Sequence, residues 1–307
     1  MNPVFWVWRE AGSSSWRQVR QLALTPPASK VAALALTTSL LVLSLFGLDI
    51  CFGLDISFER DPWLAKWPAS SAEAATLIWD YSEVRGPERW SRLDPAFSTC
   101  EAGQAQSPID FVLQSNHGSD KAQPAHSLRF DYRPSLLRGV NNGNTVRFEV
   151  EAGSQLQIEE QTYQLLQFHF HWPSEHQFTG QPREMEAHLV HRSSAGDLAV
   201  VAVILQAAAT NPDIARLWQQ MPMREGQRVV QDSAFNPAAL LPNNSQSFLE
   251  YEGSLTTPPC SEGVRWIVLK QPVGLSPAQV QQFARAIGQR NARPVQPLRA
   301  RSLLEFP

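Results

Sequence analysis

Residues 167–172 read Gln-Phe-His-Phe-His-Trp, and this short segment sets the architecture of the chain. Successive side chains of a β-strand point to opposite faces, so His169 and His171 would share one face while the aromatic residues share the other. An aromatic face packs into a core, whereas two neighbouring imidazoles suit a polar site. The segment therefore predicts a half-buried strand that directs two histidines to the same side.

A second segment, Glu184–His191, follows a connection that contains two prolines and a glycine. The same alternation places Glu186 and His188 on one face of this strand. An antiparallel return would bring His188 beside the first two histidines. Three neutral imidazoles leave the fourth tetrahedral position open, which is the arrangement of a catalytic zinc site, and Glu186 is a candidate acceptor that fixes the tautomer of His188.

Two interpretations of these histidines remain open from the residues alone. An H-x-H pair is weak evidence by itself, because surface and core histidines form many such pairs. A third histidine with an acidic neighbour on an adjoining strand favours a metal site, but composition and periodicity do not decide between the two.

Extended segments dominate the chain beyond residue 76. Alternation and Gly, Pro, Asn and Asp breaks predict strands at Val146–Glu151, Gln155–Glu159, Tyr163–Trp172, Glu184–Arg192, Leu198–Gln206, Ser247–Glu252 and Val264–Lys270. Asn211-Pro212 and Ser276-Pro277 predict the starts of two short helices, which run to Met221 and Ile287. The expected fold is a β-dominated α+β single domain, with a large, mostly antiparallel twisted central sheet and short peripheral helices.

The N-terminal region differs from the rest. Residues 31–48 contain no charge, and a helix of that length rises about 27 Å, close to the thickness of a bilayer core. Basic residues precede the stretch and acidic residues follow it, which orients the N-terminus to the cytoplasm. A cleaved signal segment is the alternative, although the basic region before it is long for that role. The predicted organisation is a basic cytoplasmic tail, a membrane anchor, a linker and a globular domain at 1–30, 31–48, 49–75 and 76–307.

The charge balance excludes one class of partner. The 307 residues carry a formal net charge of −3 with a pI near 6.2, so nothing in the composition favours binding to nucleic acid. The oligomeric state is not predicted.

Several motifs resemble the α-class carbonic anhydrases, in the order in which that family has them. QFHFHW, the following SEH and then MEAHLVH are similar to the family's zinc-binding core, and GSLTTPPC at 253–260 is similar to its active-site threonine loop. The resemblance extends over about 76–303, through the further motifs Trp79-Asp80-Tyr81, CEAGQAQSPID at 100–110, NNGN at 141–144 and RNARPVQPL at 290–298.

The resemblance implies a set of roles at the metal site. Zn²⁺ would be held by His169, His171 and His188. The partners of these ligands would be Gln167, Glu186 and the backbone of Asn291. Thr256 would accept a hydrogen bond from the zinc-bound hydroxide and pass its own proton to Glu175, which orients the nucleophile.

The resemblance also implies the surroundings of the metal. The pocket for CO₂ would be lined by Val190, Val200, Leu255, Val264, Trp266 and Thr257. Water would be organised by Tyr81 and Asn142, together with Thr257. Cys100 and Cys260 match the disulfide of many secreted family members, which agrees with a domain on the extracytoplasmic side of the membrane.

The implied function is the zinc-dependent, reversible hydration of CO₂ to bicarbonate and a proton. Asn144 occupies the position where efficient members carry a proton-relaying histidine, and an amide does not titrate near neutral pH. We therefore expect slow proton export. Arg147 also differs from the smaller polar residue that the family often has there. A non-catalytic carbonic-anhydrase-related binding module is the alternative function.

Overall fold

The computed structural model describes residues 78–112 and 127–307. The apolar stretch at 31–48, the segments on either side of it, and His117 and His126 lie outside these residues. The anchor, the linker and the domain boundaries therefore stay predictions. Within the two described ranges, no helix is both long enough and apolar enough to cross a membrane.

Two sheets contain the strands. Eleven strands form the large sheet, and three short strands form a small one. In chain order the strands are β1 (Asp110–Phe111), β2 (Leu128–Asp131), β3 (Arg138–Asn141), β4 (Val146–Glu149), β5 (Gln155–Ile158), β6 (Gln161–His171), β7 (Gln177–Phe178), β8 (Gln181–Pro182), β9 (Met185–Ser193), β10 (Leu198–Ala207), β11 (Arg228–Val230), β12 (Phe248–Ser254), β13 (Glu262–Leu275) and β14 (Leu304–Phe306).

The large sheet has the order β11-β3-β4-β6-β9-β10-β13-β12-β14, and β5 joins β2 to the side of β6. Every pair in it is antiparallel except β10 with β13, which run parallel. The predicted β-dominated fold with a mostly antiparallel central sheet is confirmed. The sheet has more strands than the sequence pattern predicts, because the short strands β2, β3, β11 and β14 were not recognised from the sequence.

Four α-helices, all short, lie around the sheet in the described part of the chain: α1 (Trp90–Leu93), α2 (Thr99–Ala102), α3 (Pro212–Gln219) and α4 (Pro277–Ile287). Two 3₁₀ helices, Pro95–Phe97 and Pro237–Leu240, accompany them. The start of α4 is a capping box, in which the Ser276 side chain accepts from the Gln279 N–H and the Gln279 side chain accepts from the Ser276 N–H. Gly288 ends α4 with φ of 71°, a conformation that costs glycine little. The two predicted helices are therefore confirmed as α3 and α4.

A β-bulge in β6 decides which side chains face the core. The register with β9 shifts between Leu165 and Gln167. Before the shift Tyr163 and Leu165 are buried in the main hydrophobic cluster, and after it Phe168 and Phe170 are buried in the same cluster. The extra residue changes the buried positions from odd to even numbers, as bulges do when they redirect a strand. His169 and His171 consequently face away from the main cluster.

His191 lies on the core side of β9, opposite Leu165. Its ring stacks on Tyr132, whose hydroxyl lies 2.7 Å from His191 Nε2. Burial lowers the pKa of His191 from 6.5 to about 3. The folded protein therefore keeps this imidazole neutral at a pH where the unfolded chain binds a proton.

We predict that His191 makes folding weaker in acid. Below pH 6.5 the unfolded state gains a proton at His191 that the folded state does not take, so stability falls as pH falls. Relative to a His191→Gln variant, the wild-type free energy of unfolding should drop by about 1.4 kcal/mol per pH unit between pH 6 and pH 4. Urea unfolding of both proteins across this range measures the difference. If the free energies of unfolding of the two proteins changed with pH in parallel, His191 would not be a buried neutral imidazole.

Candidate metal centre

Three imidazoles meet on the face of the sheet opposite the main hydrophobic cluster. His169 and His171 come from β6, and His188 on β9 lies directly opposite His169 in the antiparallel register. The ring centroids are 5.1 Å apart for His169 and His171, 5.3 Å for His169 and His188, and 4.5 Å for His171 and His188. One nitrogen from each ring lies within 4.8 Å of the other two.

A hydrogen-bond acceptor fixes the orientation of each ring. The Gln167 Oε1 atom lies 2.9 Å from His169 Nδ1, and the Asn291 carbonyl oxygen lies 2.7 Å from His171 Nδ1. For the third ring, Glu186 Oε1 lies 2.7 Å from His188 Nε2. Because these nitrogens donate to their acceptors, the lone pairs of His169 Nε2, His171 Nε2 and His188 Nδ1 remain free.

The free nitrogens fit a metal ion. His171 Nε2 is buried and has no hydrogen-bond partner among the described residues, although buried polar atoms are normally paired. Burial holds the pKa of His169 well below 6.5 and also lowers that of His171. Neutral imidazoles with unpaired nitrogens that face one another are the donor set of a metal site with three protein ligands.

A second group of possible ligands, His176, Glu186 and His188, also lies close together. Here Glu186 Oε1 is only 2.6 Å from His176 Nδ1 and 2.7 Å from His188 Nε2. These are hydrogen-bond distances, and each atom is already satisfied by its neighbour. This group holds His188 in place and is not a metal site.

The buried carboxylate of Glu186 is held on both oxygens. Its Oε2 accepts from the backbone N–H groups of Glu175 and His176, at 2.9 and 2.8 Å. Burial raises the pKa of Glu186, but attraction to His176 and His188 and their hydrogen bonds outweigh it and hold that pKa well below its ordinary value. The charged form is the one that best accepts from His188.

The chain of contacts continues beyond His176. The Tyr251 hydroxyl lies 2.7 Å from His176 Nε2 and 2.9 Å from Ser107 Oγ. No local sequence pattern predicts these contacts, because Ser107, His176 and Tyr251 come from distant segments. The SEH motif places His176 beside the site, but its pairing with Glu186 needs the folded sheet.

The Glu175 carboxylate lies next to two of the imidazoles, those of His171 and His188. Its Oε1 accepts from the Arg293 N–H at 2.8 Å, and its Oε2 is 3.9 Å from His188 Nδ1. The hydrogen bond that the resemblance implies between Thr256 and Glu175 is not formed, because Glu175 Oε2 is buried with no hydrogen-bond partner in the described structure. The Arg293 N–H thus holds Oε1, which also lies 3.4 Å from His171 Nδ1, and Oε2 keeps its capacity to accept. Thr256 itself is buried.

An apolar wall borders the histidines. Val190, Val200, Val264 and Trp266 belong to the second hydrophobic cluster, and Leu255 packs against it. The Trp266 ring centroid is 4.8 Å from that of His188. Thr257 lies in the loop after β12, where its carbonyl accepts from the Cys260 N–H at 2.9 Å. The disulfide between Cys100 and Cys260 forms next to this loop, with 5.0 Å between the Cα atoms.

Tyr81 and Asn142, expected to organise water, and Asn144, at the proton-relay position, mainly contact other protein groups. Tyr81 packs edge-on against Trp79 and Trp90. Asn142 Oδ1 accepts from the N–H groups of Asn144 and Thr145, which shapes the turn between β3 and β4. Asn144 is buried, and its Nδ2 donates to the Trp79 carbonyl at 3.3 Å.

Known proteins share this fold and these motifs. A family model described as eukaryotic-type carbonic anhydrase matches residues 85–306. A carbonic anhydrase of Nostoc sp. is 43% identical over 238 residues, which are 77% of this chain and 89% of that protein. Dioscorin DB3L of Dioscorea polystachya is 35% identical over 245 residues, 74% of this chain and 86% of the relative.

A solved structure agrees with these relatives. The structure of an α-carbonic anhydrase from Thermovibrio ammonificans with the inhibitor sulfanilamide superposes with a TM-score of 0.68 at 38% identity. The match covers 73% of this chain and 97% of the other. The fold and the histidine cluster thus define a class of sheet enzymes with a candidate metal centre between two neighbouring strands. Within that class, the chain belongs to the α-carbonic anhydrase family, whose reaction converts CO₂ and bicarbonate into one another.

We predict that the charge of Glu186 strengthens metal binding through His188. A Glu186→Gln substitution keeps the size of the side chain but removes the charged acceptor, and zinc affinity should fall about 10- to 100-fold. Competition with a chromophoric chelator measures the affinity. Glu252→Gln, at an exposed position of β12, is the matched control and should leave it unchanged. Equal affinities for wild type and Glu186→Gln would show that Glu186 does not tune the ligand.

Proposed function

We propose that the chain is a zinc-dependent carbonic anhydrase that reversibly hydrates CO₂ to bicarbonate and a proton. The observation that carries this proposal is the set of three free nitrogens on His169, His171 and His188, with one of them buried and unpaired. When bound, zinc supplies Lewis acidity that brings the pKa of a coordinated water to about 7, an effect for which carbonic anhydrases are themselves the reference example.

The residues of the chain would divide the remaining work. Gln167, Asn291 and Glu186 hold the three rings in the orientation that leaves their free nitrogens converging. The apolar wall formed by Val190, Val200, Leu255, Val264 and Trp266 suits CO₂, which has no charge and no hydrogen to donate. It would hold the substrate beside the metal while excluding water from its other side.

Glu175 and Thr256 would orient the nucleophile. Glu175 is fixed by the Arg293 N–H, and its second oxygen can accept one more hydrogen bond. A hydroxyl has one hydrogen to donate. If Thr256 donates it to Glu175, its own oxygen is left to accept a hydrogen bond, which fixes the direction of the attacking lone pair.

Proton export would depend on external buffer. Of the five histidines in the described residues, three belong to the metal site. His176 and His191 are buried with their own hydrogen-bond partners. The relay position holds Asn144, whose amide cannot carry a proton near neutral pH. We infer that removal of the proton limits turnover when buffer is scarce.

The enzyme would work on the extracytoplasmic side of a membrane. The Cys100–Cys260 disulfide supports this location, because disulfides persist mainly in oxidising compartments. The uncharged stretch at 31–48 would anchor the catalytic domain, or would be removed and leave the domain secreted. These assignments rest on the sequence, and the catalytic domain would begin near residue 76.

A non-catalytic binding module is the alternative. One relative of the chain, dioscorin DB3L, does not carry the name of a carbonic anhydrase. Loss of a zinc ligand would favour this alternative, yet all three histidines are present and converge. We therefore favour the enzyme.

The first test of this proposal is stopped-flow CO₂ hydration by the purified full chain before and after chelation. Activity should disappear when zinc is removed and return when one equivalent is added. A His169→Ala variant should lose activity and not regain it with added zinc. A folded chain that takes up zinc without hydrating CO₂ would support the binding module instead.

We predict that a histidine at position 144 relieves the proton limit. Asn144→His should raise turnover at low buffer concentration and change it little at high buffer, because buffer then removes the proton directly. Asn144→Gln also disturbs the contact with Trp79 but cannot titrate, so it separates the chemical effect from the steric one. A gain that is equal in both variants, or no gain at low buffer, would point to another relay.

A further inference from the structure

The metal centre lies in a cross-strand row that continues to the edge of the sheet. His169 on β6 is directly opposite Arg147 on β4. Arg147 is opposite Val140 on β3, and Val140 is opposite Arg228 on the edge strand β11. Directly opposed residues point to the same face. At about 4.8 Å per strand, Arg228 stands about 14 Å from His169 along this row.

A parallel row lies beside it. Gln167, which holds His169, is opposite Glu149, and Glu149 is opposite Arg138. Arg138 is in turn opposite Val230. The outer ends of the two rows enclose a depression of about 270 Å³. Five of its lining residues belong to these rows and share the face of the metal centre: Arg138, Val140, Glu149, Arg228 and Val230. Gly139 and Val229 complete the lining.

Positive charge exceeds negative charge along these rows. Three arginines occupy them, while Glu149 is the one acidic residue among the described residues that line the depression. Arg147 Nη2 contacts Glu149 Oε1 at 2.9 Å, and Arg147 Nε is buried with no hydrogen-bond partner in the described structure. Arg138 and Arg228 are exposed. Acceptors among the described residues therefore leave most guanidinium donors of these three arginines unused.

We propose that Arg138, Arg147 and Arg228, here called the arginine strip, bind small oxyanions between the metal centre and the sheet edge. Planar guanidinium groups match the geometry of carboxylate-like oxyanions and can bind them through two hydrogen bonds. Bicarbonate has this chemistry and is the product of the family's reaction. The assignment of bicarbonate as the natural ligand rests on the proposed function. The binding of oxyanions by the arginine strip does not.

The spacing indicates how the strip would act. Charges 14 Å apart are largely screened at physiological salt, where the Debye length is about 8 Å. Arg228 therefore cannot attract an anion into the metal centre from the edge. Arg147, one strand from His169, can hold an oxyanion next to the site. The strip would work as successive short-range positions along which bicarbonate leaves or enters.

The test uses the full chain labelled with ¹⁵N-arginine, in zinc-loaded and chelated forms, titrated with sodium bicarbonate at constant ionic strength against chloride. Saturable shifts of the three arginine Nε–H signals are expected in both forms, each signal being assigned by its loss on substitution. In Arg138→Gln and Arg228→Gln the dissociation constant should rise about three- to fivefold, the effect of losing one exposed ion pair. Arg129→Gln, at an exposed position of β2, removes the same charge elsewhere and should leave the dissociation constant unchanged.

Several results would overturn the strip. Shifts that vanish on chelation would place the anion at the metal instead. If Arg129→Gln weakened bicarbonate binding equally, the change in dissociation constant would be due to net charge and not to the arginine strip. Inorganic phosphate should compete for the same signals, and phosphate binding without bicarbonate binding would remove the assignment to the product. Failure of the metal-centre proposal is distinguishable, because the chelated protein would still bind bicarbonate.

Discussion

The bulge in β6 is the constraint on which the site depends. Side chains alternate with a period of two, so one extra residue exchanges the faces of everything after it. Tyr163 and Leu165 face the main cluster before the bulge, and Phe168 and Phe170 face it afterwards. Without the extra residue, the aromatic side chains and the imidazoles could not both occupy their present sides. The burial of two phenylalanines on one face thus directs His169 and His171 to the opposite face.

The second requirement is that the three rings keep one tautomer each. The acceptors that do this are an amide oxygen, a backbone carbonyl and the carboxylate of Glu186, and they come from different parts of the chain. A buried charge such as that of Glu186 is costly unless it is fully hydrogen-bonded. Two backbone N–H groups and two imidazoles supply those bonds. The arrangement makes the metal centre dependent on correct packing of the whole sheet.

Alternation, helix caps and residue spacing predicted the elements whose structure is determined by neighbouring residues. The alternation in β9 and β10 and the caps of α3 and α4 gave their positions to within about two residues. The spacing of His169 and His171 gave their shared face. The bulge near Leu166 was missed, because a single extra residue leaves no break in an apolar run. The short strands β2, β3, β11 and β14, of three or four residues each, were also missed.

Long-range contacts set the remaining details of the site. The hydrogen bond from Asn144 Nδ2 to the Trp79 carbonyl connects residues that are 65 positions apart in the chain. The pairing of His176 with Glu186 and Tyr251 likewise depends on how strands meet in space. The hydrogen bond implied between Thr256 and Glu175 is not formed in this structure and stays a prediction, because resemblance transfers residues but not side-chain distances.

The most direct test of this account is a crystal structure of the zinc-loaded protein with anomalous data collected at the zinc edge. It should show one ion bonded to His169 Nε2, His171 Nε2 and His188 Nδ1, at the usual zinc–nitrogen distance of about 2.0–2.1 Å. An ion bonded to His188 Nε2 together with His176 and Glu186, or no ion between the three rings, would contradict it.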